Sequence, residues 1–81
     1  MFTIYMYSVG GRRFDRYFRS WENAKTLLEE EKENLLKSGW TQKSHVDKMN
    51  LEKGFYMYEY ALLTPEGEEA SLALIDGFFM D

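Results

Sequence analysis

Between Ser20 and Gly39 the apolar positions repeat at helical spacing. Ala24, Leu28 and Leu35 fall on one stripe, with Trp21 and Leu27 on its flanks, while Glu29, Glu30, Lys32, Glu33 and Lys37 lie mostly outside it. Ser20 is a suitable N-cap, because its hydroxyl can accept a hydrogen bond from a first-turn N–H, and Glu22 sits where the helix dipole favours negative charge. At the far end Lys37 complements the negative pole, Gly39 suits the left-handed residue that closes many helices, and Trp40 is placed to fold back on the last turn. The pattern predicts one helix starting at Trp21, about 17 residues or roughly 25 Å long. Glu31 interrupts its apolar stripe.

Elsewhere the period is two. Residues 2–9 alternate and are rich in strand formers, and Gly10-Gly11 supplies the positive φ of a tight hairpin, so residues 12–19 return as an antiparallel strand. After the helix, residues 41–47 read as a short polar strand and 48–54 as a loop. Residues 55–64 carry the strongest strand pattern, Thr64-Pro65-Glu66-Gly67 is a turn, and residues 69–76 form the last strand. The tail, residues 77–81, either extends that strand or docks elsewhere. The order β-β-α-β-β-β, or one strand fewer if residues 41–47 fail to pair, predicts an α+β two-layer sandwich. One helix packs on one face of an antiparallel sheet of four or five strands.

Strand parity separates two faces. Phe2, Ile4 and Met6 share one face with Phe55, Met57, Ala61 and Leu63, while Tyr5 and Tyr7 share the other with Tyr56, Tyr58 and Tyr60. Phe14 and Phe18 oppose Tyr17 in the same way. If the purely apolar side meets the helix, Tyr5, Tyr7, Tyr17, Tyr56, Tyr58 and Tyr60 all lie on the outer face.

The length of 81 residues implies a single domain spanning 1–81 with one modest core. Without cysteine there is no disulfide framework, thiolate metal site or cysteine nucleophile, which for so small a chain points to the cytoplasm. No apolar run approaches membrane-spanning length, so no membrane association is expected. The net charge of −4 hides a gradient. Residues 1–27 hold Arg12, Arg13, Arg16, Arg19 and Lys25 against Asp15 and Glu22, whereas residues 54–81 hold acids and neither Lys nor Arg.

The tyrosine face is the principal candidate site, since tyrosine gives broad rigid contact area with a polar tip. It is read as an interface for a second copy of the chain or another protein. Arg16, Glu31 and Glu59 take inward parity and are a candidate buried charge cluster, one arginine between two carboxylates. His45 and Asp47 share a strand face but lack a second ligand at metal-site spacing. Glu66, Glu68 and Glu69 keep a turn solvated. No catalytic, cofactor or metal motif is present, and the chain is expected to bind rather than catalyse.

Lys53-Gly54-Phe55-Tyr56-Met57-Tyr58-Glu59-Tyr60 resembles the core motif of RNA-recognition-motif domains in its opening Lys-Gly-Phe and its final aromatic. It departs where Met57 replaces a stacking aromatic and Tyr56 a small residue, and one helix stands where that family has two. The resemblance implies single-stranded nucleic acid stacked on the tyrosines, with the arginines between Arg12 and Arg19 contacting phosphates, as the alternative function. The sequence pI of about 5.0 weighs against it.

Overall fold

The computed structural model describes residues 3–50 and 55–76. Its elements are β1 (Thr3–Val9), β2 (Arg12–Phe18), α1 (Trp21–Lys37), β3 (Thr41–Asn50), β4 (Phe55–Leu63) and β5 (Glu69–Asp76). The strands form one five-stranded antiparallel sheet in the order β2-β1-β5-β4-β3. The expected α+β architecture, one helix against an antiparallel sheet, is what the chain adopts. The last strand in sequence lies in the middle, so β5 joins the N-terminal hairpin to the C-terminal one. β3 runs on to Asn50, past the expected end of the strand, because residues 48–50 stay paired with β4. The tail at 77–81 lies outside the described residues, as do residues 51–54.

The caps of α1 are those the sequence specifies. Ser20 Oγ accepts from the Asn23 N–H at 3.2 Å. The other end closes with Gly39 at φ 94°, its N–H donating to Leu36 O at 3.3 Å, and with the Trp40 N–H donating to Leu35 O at 3.1 Å. Gly10 and Gly11 both take positive φ in the β1–β2 turn, which fixes Val9 opposite Arg12.

The helix lies over β5, β1 and β2 and buries Ala24 and Leu28 completely. Beneath it Leu74 stands between Tyr5 and Tyr58, and Leu72 between Tyr7 and Tyr60. The tyrosine face is therefore the inner face, contrary to the sequence expectation. The leucines of β5 decide this. They occupy the central strand on the tyrosine side, and large rings flanking them bury more apolar area than Ile4, Met6 and Met57 offer around Ala73.

A candidate protein-binding edge

Five of the six tyrosines singled out by parity face the helix. Tyr5, Tyr58 and Tyr60 are buried, Tyr7 and Tyr56 half-buried. Tyr17 lies on the other face, opposite Ile4, and is 66% exposed. The two-residue turn sets this register and pairs Tyr5 with Arg16 instead. The six rings consequently do not form one outer interface, and no stacking platform of sheet tyrosines faces outward for nucleic acid.

Two of the inner rings, Tyr58 and Tyr60, place their polar tips on the helix. Tyr60 donates to Glu29 Oε1 at 2.9 Å, the Tyr58 hydroxyl donates to the same oxygen, and Lys32 Nζ reaches Glu29 Oε2 at 3.1 Å. Burial alone raises the Glu29 pKa, but the hydrogen bonds from Tyr58, Lys32 and Tyr60 outweigh it and hold the carboxyl below its ordinary value. Lys25 and Lys32 stand over the rings of Tyr58 and Tyr60, at 4.8 and 4.5 Å from the centroids. The Tyr5 hydroxyl is buried on the Glu31 side of the sheet, and desolvation, then the charge of Glu31, push its ionisation far above the usual phenol range. For Tyr58, desolvation and the Glu29 hydrogen bond act in the same direction.

The expected charge cluster does not assemble. Arg16 and Glu31 are on the helix side, where both charges act on Tyr5. Glu59 pairs with Ala73 and Val46, on the side away from α1, because its parity is that of Met57 and Ala61. Arg16 is exposed and places its guanidinium 5.2 Å from the Phe18 ring centroid. Glu31 and Glu59, on opposite sides of the sheet, cannot act on one substrate atom. His45 stacks on Tyr60 at 4.2 Å and its Nδ1 lies 3.0 Å from the Glu59 carbonyl, while Asp47 accepts from the Tyr56 hydroxyl. Among the described residues no group of three His, Cys, Asp or Glu side chains could hold a metal ion. No helix there is long and apolar enough to cross a membrane.

The surface that stands out is β2. The sequence pattern reads its arginines as phosphate contacts, and Arg16 also as part of a buried charge cluster, while Phe14 takes the parity expected of the apolar face. Among the described residues the large apolar side chains that are exposed, Phe14 at 59% and Tyr17 at 66%, both belong to this strand. Arg13 holds Asp15 through both carboxylate oxygens, Nε to Oδ1 at 3.0 Å and Nη2 to Oδ2 at 2.9 Å. Arg12, Arg16 and Arg19 make no ion pair among the described residues. Arg12, Phe14 and Arg16 alternate on the helix side, and Arg12 and Phe14 line an open depression with Tyr7, Val9, Gly10 and Glu68. Among the described residues β2 is a sheet edge, paired to β1 alone. Comparison with known protein families, with curated proteins and with solved structures finds no match to this chain.

Proposed function

We propose that this chain is a small non-catalytic binding domain that engages a protein partner through the β2 edge. The observation that carries the reading is the coincidence, on one edge strand, of the exposed Phe14 and Tyr17 with Arg12 and Arg16, which make no ion pair among the described residues. An edge strand normally carries charge to repel other strands, and large apolar groups between those charges work against that purpose unless something covers them. Their ordinary use is as contact area, with the arginines as rim and anchor. A cytoplasmic setting belongs to the same reading, since a cysteine-free chain is at home in a reducing compartment.

A photo-reactive phenylalanine analogue placed at position 14, with position 26 on the helix as control, tests it. The proposal expects a discrete protein adduct from position 14 that the Arg16→Glu variant loses. Equal labelling from both positions contradicts it.

Self-association is a second reading, carried by the other face. Ile4, Ile75 and Met57 lie side by side across three strands there, half-buried, on the side away from α1. Arg13 and Asp15 on one side and Lys48 and Glu59 on the other carry both signs of charge, which lets the patch complement itself across a two-fold axis. Light scattering over a wide concentration range on the native chain and on Ile75→Lys distinguishes a dimer through this face from a monomer.

A further inference from the structure

We infer that the β2 edge takes up an extended acidic segment of its partner as a sixth strand. The inference rests on the reading of β2 as the docking edge and names what docks there. The two-residue turn makes Val9 and Arg12 the first hydrogen-bonding pair, so alternation directs the backbone groups of Arg13 and Asp15 away from β1. An incoming strand satisfies those groups, and its side chains then stand opposite those of β2 at fixed spacing. Across from Arg12, Phe14 and Arg16 the fitting sequence is acidic, any, apolar, any, acidic. Asp15 does not oppose this, because Arg13 already holds it. Glu68 shares the depression with Arg12, which leaves Arg16 the stronger of the two acid anchors.

The same features set aside the other occupants. A second copy pairing β2 against β2 would set the arginines of one strand against those of the other, the arrangement that keeps edges apart. The opposite edge, β3, breaks its register between Gln42 and Ser44, ties Lys43 to Glu69 at 3.1 Å and alternates both signs of charge. An irregular, mixed-sign edge is a poor template for a strand of one sign.

The test is fluorescence anisotropy with a labelled peptide whose central residues are Glu-Thr-Leu-Thr-Glu. The controls are a composition-matched scramble, the same peptide N-methylated on the residues that face β2, and an oligothymidylate of equal charge. The native chain should bind the parent peptide about tenfold more tightly than the scramble or the N-methylated form. Binding should slow amide exchange at Arg13 and Asp15. Arg16→Glu should weaken binding more than Arg12→Glu, and both variants should keep the native circular dichroism. Equal affinity for the N-methylated peptide overturns the inference, because charge alone is then sufficient. Equal affinity for the oligothymidylate overturns it in favour of nucleic acid. Absence of peptide binding overturns it too, while adducts from position 14 would leave the broader reading of the edge in place.

Discussion

Tyr60 on β4 and Glu29 on α1, 31 residues apart in the chain, meet in a 2.9 Å hydrogen bond that ties the helix to a strand outside its main footprint. The same carboxylate serves Tyr58, so one acidic side chain on the helix accepts the hydroxyls of two rings buried beneath it. Tyr58 and Tyr60 can stand in the core because their polar tips share the Glu29 carboxylate. Glu29→Ala should therefore cost about 1–3 kcal/mol, as expected for buried hydroxyls that lose a charged acceptor, read from urea unfolding. Tyr58→Phe in the Glu29→Ala background should add little, since the two changes remove one network.

Acid should weaken the same network. The folded state holds the Glu29 carboxyl below its unfolded value, so its contribution is complete above the unfolded carboxylate pKa and fades as pH falls through the folded one. Denaturant midpoints measured from neutral pH down to about pH 3 should fall less steeply for Glu29→Gln than for the native chain.

Alkali should act in the opposite sense. Burial raises the phenol pKa of Tyr5 and Tyr58, so the stability they contribute is intact below the unfolded phenol value of about 10 and is lost as pH rises beyond it. In an ultraviolet titration these phenols should ionise only with unfolding. Tyr58→Phe should flatten the alkaline limb of the stability curve.

The helix stop is a backbone requirement more than a packing one. Gly39 sits at φ 94°, while among the described residues a methyl group there would meet Pro65 Cγ at an ordinary 3.6 Å. Gly39→Ala should cost about 1 kcal/mol through left-handed strain, visible as a lowered melting temperature with an unchanged circular dichroism spectrum.

Leu74 is fully buried in the central strand between Tyr5 and Tyr58. Leu74→Ala should cost about 2–5 kcal/mol, enough to leave so small a domain largely unfolded near its working temperature. Chemical denaturation of the variant, with a stabilising osmolyte if necessary, measures it.

Much of this architecture is written locally. Ser20 and Gly39 bracket the helix, and Gly10-Gly11 and Pro65-Glu66-Gly67 mark the turns, because each position demands a particular side chain or backbone angle. Parity also separates the tyrosines of β1 and β4 from their aliphatic neighbours correctly. Which side meets the helix is not local: β1 and β4 each have two faces able to pack. Leu72 and Leu74 settle it, and weighing them against Ala73 and Ile75 would have placed the tyrosines inside. Likewise the two-residue turn fixes Tyr17 opposite Ile4, so counting outward from Gly10-Gly11 shows it separated from the other tyrosines. The length of β3 was hidden because an edge strand needs few apolar residues and its composition is mostly polar.

Tyrosine nitration mapped by mass spectrometry on the native chain tests the central claim, that the tyrosine side is core and the β2 edge is the exposed surface. Tyr17 should react first, with Tyr5, Tyr58 and Tyr60 protected until the chain unfolds. Early modification of Tyr58 and Tyr60 ahead of Tyr17 would contradict the account and return the tyrosine face to the outside of the molecule.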